Sequence, residues 1–265
     1  MIIQRGNRQI IISDNHSQYY DEIQIDFDHY FNAVKFNNVD GMQIVDFSKV
    51  YWHDVNGFDL HQILFPAIAE PISTTQQYID LLQIKEGDTI LDLGAYSGLS
   101  GILFKQIVGK SGIVISVEAD IFNYTACVQN ISKYYEITGN NINLFHYAIW
   151  NNCNGLQFYS EGAMGSSNHT RRGLCLNVNS ITMTKLAELN NLSKIDAIKC
   201  DIEGAERVVF DDVDFFNKYK PKLVIEMHFH LVDNDFQQLK NIGYMFETHK
   251  QVGSPYPLLV GKCKK

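Results

Sequence analysis

Apolar residues along the chain keep two different periods, and the change between them divides the sequence. Up to about residue 70, short runs rich in β-branched and aromatic residues (30–36, 42–47 and 50–54) are separated by Asn-Asn, Asp-Gly and Asn-Gly pairs that favour tight turns. They predict a small β-rich appendage. Residues 59–82 take on helical spacing, interrupted by Pro66 and Pro71, with Ser73 or Thr74 placed to cap a helix reaching Leu82. Beyond a turn at 85–88, continuous apolar strands alternate with helical stretches. Strands are expected at 89–92, 113–117, 143–150, 197–200 and 222–230, with helices at 99–108, from Asp120 to about residue 135, from 204 to about 219, and after Asp233. The closing segments at 244–249 and 257–263 read as an antiparallel hairpin. This alternation is that of an α/β domain over residues 71–265, with residues 1–70 as the appendage.

Residues 89–101, TILDLGAYSGLSG, hold the first chemical signal. An apolar run ends in Asp92, then Gly94, Ala95, Ser97 and Gly98 follow before a helix begins. Small residues at the carboxyl end of a strand let a cofactor approach the backbone, although a plain tight turn uses the same residues. Glu118 closes the next strand, 26 residues after Asp92, where an acid can accept hydrogen bonds from ribose hydroxyls. Dehydrogenases and methyltransferases share that arrangement. A dinucleotide pyrophosphate wants Gly-Xaa-Gly-Xaa-Xaa-Gly, and here Tyr96 stands at the middle glycine. The turn suits a cofactor without phosphates, such as S-adenosylmethionine.

Composition narrows the options. With 265 residues and a 45% hydrophobic fraction, the chain has enough apolar surface for one large domain with a full core. No apolar run approaches the roughly 20 residues that span a bilayer, and Arg5 and Arg8 interrupt the start, so neither membrane insertion nor a signal peptide is expected. Five scattered cysteines with no Cys-Xaa-Xaa-Cys fit reduced thiols in a cytoplasmic protein and argue against a zinc cluster. A net charge of −8 argues against nucleic acid; Arg171 and Arg172 with Lys110 or Lys133 read as solvated charges rather than a basic patch. Tyr51, Trp52, His53, Asp54 and Phe58 read as an aromatic mini-core, with an acceptor pocket as the alternative. Residues 151–172 are polar and rich in Gly, Ser and Asn, either a binding lid with Asn168 and His169 near an acceptor or plain surface.

Four segments in this order, ILDLGAYSGLSG, VISVEAD, VNSITMTKLAELNNLSKIDAIKCDIEGAE and LVIEMH, resemble the FkbM-type class I methyltransferases, which use S-adenosylmethionine. The likeness covers about residues 75–230 and says little about residues 1–70. It implies a Rossmann-like, doubly wound sheet of seven strands, mostly parallel with a terminal antiparallel strand, and O-methylation of a hydroxyl on a sugar, glycolipid or polyketide-like metabolite. Carried over by position, it implies that Asp92, Gly94, Ala95 and Gly98, with Tyr96 in the same turn, face the methionine end of the cofactor. Glu118 would meet the ribose, and Ala119, Asp120, Ala148 and Ile149 the adenine. Asp201 and Glu203 come from the central segment, Glu226 and His228 from the strand after it.

Methyl transfer from a sulfonium needs the acceptor oxygen in line with methyl and sulfur, so positioning supplies much of the rate. A base within hydrogen-bond reach adds about 10²- to 10⁴-fold by taking the hydroxyl proton. His228 or Asp201 is the expected base, oriented by Glu203 or Glu226. Each has a plainer role: Asp201 holding the cofactor ammonium, Glu203 at a helix start, His228 and His230 as core histidines. No metal ligands are assigned, and Mg²⁺ is the lesser option. The expected partner is a small-molecule or glycan acceptor, with a homo-oligomer left open. Methylation of a non-sugar secondary metabolite and a catalytically silent cofactor binder are the alternatives. Nucleic-acid methylation is disfavoured by charge and by the lack of an Asn-Pro-Pro-Tyr-type signature.

Overall fold

A computed structural model describes residues 1–168, 171–228 and 233–263. Its centre is a seven-stranded sheet, numbered here in chain order: β1 (Thr89–Leu93), β2 (Ile113–Glu118), β3 (Asn143–His146), β4 (Ala197–Cys200), β5 (Lys222–Glu226), β6 (Tyr244–His249) and β7 (Leu258–Cys263). In space the order is β6-β7-β5-β4-β1-β2-β3. Neighbours from β5 through β3 are parallel, and β7 runs against both β5 and β6. The doubly wound, mostly parallel sheet with one terminal antiparallel strand is therefore present.

Strands β1 and β4 are buried at every position because helices cover both faces, which is why they read as unbroken apolar runs. The pleat still sorts them: Ile90 and Val114 face one core cluster, while Leu91, Leu93, Ile115 and Val117 face the other. The crossover helix Leu99–Val108 ends at Gly109, whose φ of 67° lies in the region that favours glycine. The helix Ile121–Thr138 starts on Asp120, whose carboxylate accepts from the Phe122 and Asn123 amides.

Several local expectations are corrected. The run expected as β at 30–36 instead begins inside the helix Phe27–Phe31, where Phe27, Tyr30 and Phe31 are buried together at the i, i+3, i+4 spacing. The helix Ile72–Leu82 begins directly after Pro71 and uses no side-chain cap. The strand expected over 143–150 breaks: β3 stops at His146, and Ala148–Ile149 pairs with Ser180–Ile181 instead. The helix expected over 204–219 is split into Glu206–Val209 and Val213–Tyr219, the second capped by Asp212. Part of the long polar loop is a hairpin of Leu156–Ser160 with Leu174–Val178. His169 and His230 lie outside the described residues.

Residues 1–70 hold a four-stranded sheet, Ile2–Arg5, Arg8–Ile12, Met42–Phe47 and Asn37–Val39 in that spatial order, and a two-stranded pair of Tyr51–His53 with Ile63–Phe65. Their apolar side chains, Phe27, Phe31 and Phe47 among them, belong to the same cluster as Ile90 and Phe104 of the central domain. His53 packs against the rings of Phe47, Tyr51 and Phe65, as a mini-core does. Asn130 on the Ile121–Thr138 helix joins the two regions: its side chain accepts from the Leu64 amide at 2.8 Å and donates to Leu64 O at 2.9 Å and Ser97 O at 2.8 Å. All three bonds are buried.

Replacing Asn130 by Ala would leave those buried backbone groups unsatisfied, at a cost of about 2–4 kcal/mol. The Asn130→Ala protein is expected to melt roughly 5–10 °C below the parent by thermal denaturation. An unchanged melting temperature would show that this tie carries no stability.

Candidate active site

A cavity of about 300 Å³ opens at the carboxyl ends of the central strands. Gly94, directly after β1, is one wall. A Cβ there would sit 1.7 Å from the Asp201 carbonyl oxygen, so only glycine lets the β1 turn close against the exit of β4. Tyr96 follows at φ 51°, its amide donating to Glu118 Oε2 at 2.7 Å and its hydroxyl to Ile68 O at 2.8 Å. Glu118 also accepts from the Asp120 amide at 2.8 Å. Burial, with Asp120 adding to it, pushes the Glu118 carboxyl up to about 8.

Of the residues expected around a cofactor, Gly94, Tyr96, Glu118, Ala119, Ala148 and Asp201 line the cavity, as does Ile149. Asp92, Ala95 and Gly98 do not line it and lie beneath the turn. Asp92 is fully buried and accepts from Ser100 Oγ at 2.9 Å and Ser116 Oγ at 3.1 Å. Gly98 starts the Leu99–Val108 helix and donates its amide to Ala95 O. Asp120 holds the 161–168 segment, accepting from Gly162 N at 3.0 Å and Ser166 Oγ at 2.6 Å.

The four expected catalytic residues do converge. His228 donates from Nδ1 to Glu206 at 3.2 Å, and its Nε2 lies 3.6 Å from Glu203, 3.6 Å from Glu226 and 3.8 Å from Asp201. Burial disfavours a charged imidazole, but Glu203, Glu206, Asp201 and Glu226 together outweigh it and push His228 up to about 10. Burial and the neighbouring acids raise Glu203, while His228 opposes them. Glu226 is raised to about 7, by burial first and Asp201 next, although it accepts from Gln251 Nε2 at 2.9 Å and Ser254 Oγ at 3.0 Å. Asp201, Glu203 and His228 each bring one ligand atom within 4.8 Å of the others, a spacing a divalent cation can use.

Other residues in and beneath the cavity escaped the sequence reading. Glu206 sits within the Asp201–Glu206 run, fully buried, and accepts from the Ile202 and Gly204 amides. Lys199 is buried in β4, donating to Gly94 O at 2.6 Å and lying 3.4 Å from Asp201 and 3.9 Å from Asp92. Its signal was a lysine inside an apolar strand, which needs partners. Glu70, raised to about 7 by burial, also lines the cavity. Gln18, Tyr19, Glu22, His29 and Tyr30 of the amino-terminal region complete the opposite wall, with Asn168, Arg172 and the turn carrying Gln251, Ser254 and Tyr256. Apart from Asn168, named in the long polar loop, no local pattern marked these. Two contacts fasten the wall: Glu161 accepts from Tyr19 Oη at 2.6 Å and pairs with Arg172 at 3.1 Å, and Gly253 packs on the His29 ring so closely that a Cβ would overlap it.

A search of curated protein sequences finds no match. Solved structures that resemble the chain include a precorrin-6y C5,15-methyltransferase from Geobacter metallireducens, at 14% identity and TM-score 0.45 over 72% of this chain and 87% of that one. A SAM-dependent methyltransferase from Aquifex aeolicus aligns at 11% identity and TM-score 0.40, over 71% and 88% respectively. A SAM-dependent O-methyltransferase from Thermotoga maritima aligns at 13% identity and TM-score 0.39, over 75% and 68%. The family model for the methyltransferase FkbM domain matches residues 92–251. That stretch holds the glycine turn, Glu118, the Asp201–Glu206 run and His228, and covers more than half of the sequence. The chain belongs to the FkbM family of S-adenosylmethionine-dependent methyltransferases.

Proposed function

We propose that the protein transfers the methyl group of S-adenosylmethionine to a hydroxyl of a sugar or glycan acceptor. The observation that carries this reading is the meeting, in one cavity, of Glu118 and Gly94 with the Asp201, Glu203, Glu226 and His228 cluster. In it, Gly94 and Tyr96 border the methionine end, Glu118 accepts from the ribose hydroxyls, and Ala119 and Ala148 flank the adenine. Asp92, Ala95 and Gly98 act by holding the turn. Residues 71–265 form the methyltransferase domain, and residues 1–70 supply an acceptor wall. The acidic balance and scattered cysteines support a cytoplasmic enzyme.

In the transfer, the acceptor oxygen attacks the methyl carbon, the carbon–sulfur bond breaks, and the sulfonium becomes the neutral thioether of S-adenosylhomocysteine. The hydroxyl proton needs a destination. His228, pushed up to about 10, carries its own proton at neutral pH and is a poor acceptor for another. Asp201 has the most open side chain of the three carboxylates around Nε2, at 25% exposure against 19% for Glu203 and 9% for Glu226. It is the proposed base, with the His228 cation and Lys199 stabilising its charge and Glu203 and Glu226 fixing His228. This chemistry calls on no metal.

Saturating S-adenosylhomocysteine is expected to raise the melting temperature by roughly 5–10 °C, following from about 2.7 kcal/mol at a hundredfold excess over Kd. Glu118→Ala should remove most of that shift, and no shift in the parent would remove the cofactor assignment. Asp201→Asn should keep the cofactor-induced shift and lose about 10²- to 10⁴-fold in kcat with labelled cofactor and a glycan panel. Full activity would reassign the base.

The raised Glu118 carboxyl also gives a pH test without turnover. Folded, it holds its proton to about pH 8, against an ordinary value of 4.5. Its contribution is therefore fully present below pH 4.5 and is lost as pH rises through 8, at up to about 1.4 kcal/mol per pH unit. The ligand-free protein should lose melting temperature between pH 5 and 8, and Glu118→Gln should lose less. Equal slopes would contradict the burial argument.

A further inference from the structure

The cavity lining has an excess of carboxyl groups. Among the described residues it holds six, Glu22, Glu70, Glu118, Asp201, Glu203 and Glu226, against Lys199, Arg172 and His228. All three cationic groups are engaged: Lys199 with the Gly94 carbonyl, Asp201 and Asp92, Arg172 with Glu161 at 3.1 Å, and His228 with Glu206 at 3.2 Å. The cofactor brings one net positive charge, which its sulfonium and ammonium place against the strand tips. The lining also keeps Glu22, from the amino-terminal region, with Glu203 and Glu226 beside His228.

These three stand around two aromatic rings. Glu22, half-buried on the helix Tyr20–Ile25, accepts a short hydrogen bond from Tyr30 Oη and interacts electrostatically with His228 across the space. Tyr30 and Tyr256 line the same cavity as these carboxyl groups. The Tyr256 ring lies 4.8 Å from that of His228. Beside them, the buried Gln251 amide donates to Glu226 and Tyr78 and leaves its own Oε1 without a hydrogen-bond donor. The wall is thus rich in acceptor atoms and crowded carboxyl groups, each held above its usual range chiefly by burial and easier to ionise beside a cation, and it is bordered by tyrosine faces. It fits a ligand that presents N–H donors and positive charge, and opposes one carrying phosphate or carboxylate.

We infer that the acceptor is a hydroxylated amine, an amino sugar with a free ammonium group, whose cation sits between Glu22 and Glu226 while a neighbouring hydroxyl reaches Asp201. This rests on the methyl-transfer reading of the cavity. The ammonium shares its three donors among the Glu22 and Glu226 carboxylates and the tyrosine hydroxyls, and no bond to nitrogen forms or breaks. An N-acetylated or phosphorylated twin of the same sugar loses the charge or reverses it.

The test compares the methyl glycosides of glucosamine, N-acetylglucosamine, glucose and glucosamine 6-phosphate, using the full chain with labelled cofactor. Calorimetric titration of each sugar into protein with and without S-adenosylhomocysteine runs beside it. The free amine is expected to exceed each twin by about tenfold or more in kcat/KM and in affinity. Glu22→Gln should raise KM for the amine by about tenfold, several times more than for glucose, and change kcat less than about twofold. An acetylated or phosphorylated twin that binds or reacts as well overturns the proposal, as does an equal effect of Glu22→Gln on amine and glucose. So does cofactor binding with no amine bound or methylated. Absence of cofactor binding, with the amine still preferred in titration, counts instead against the methyl-transfer reading and leaves the ammonium site supported.

Discussion

Lys199 is a cation with almost no water, and the geometry of the cavity follows from how its charge is satisfied. Its ammonium reaches the Gly94 carbonyl after β1 and lies between Asp92 beneath the turn and Asp201 at its edge. A buried ion group of this kind gives little net stability, because desolvation consumes much of the attraction. What it fixes is position. The β1 turn cannot drift from the β4 tip without stranding a charge in an apolar strand, and the missing Cβ of Gly94 lets the two backbones meet. Asp201 is thereby held at the cavity edge, pointing into the same space as the His228 cluster.

The central domain was legible because its signals are local and redundant. Doubly covered strands read as continuous apolar runs, Gly109 and Asp120 mark helix ends, and the acid at the end of β2 falls where the fold places it. The glycine turn and the start of the Asp201–Glu206 run meet in one cavity. Side-chain direction was less legible. Asp92 looks like a cofactor ligand at a strand end, yet its carboxylate turns into the serines at 100 and 116. His228 looks like a base until four surrounding carboxylates are seen to load it with a proton.

The amino-terminal region was the least legible part. Tyr30 and Phe31 open the run read as β at 30–36 but end a five-residue helix, too short for a helical period to show against that β-branched and aromatic content. Glu22 and Tyr30 carry no local pattern of a site. They face the cavity because Asn130 fixes the Ile63–Phe65 strand and because His29 meets the turn at Gly253, contacts between segments more than 60 residues apart. Such placement comes from tertiary packing, which one sequence does not display.

The walls of the cavity also come from distant times in the life of the chain. Glu22 and Tyr30 leave the ribosome roughly 230 residues ahead of Tyr256 and β7, which pairs with both β5 and β6. At about 5–20 residues per second the first wall waits on the order of ten to fifty seconds for the last. Until then the apolar faces of Phe27, Phe31 and Phe47 have only part of their final neighbours, and the carboxylates meant to face one another stay in water. The site therefore closes only once the hairpin of β6 and β7 has emerged, and a chain truncated before it would be left with an open half-cup.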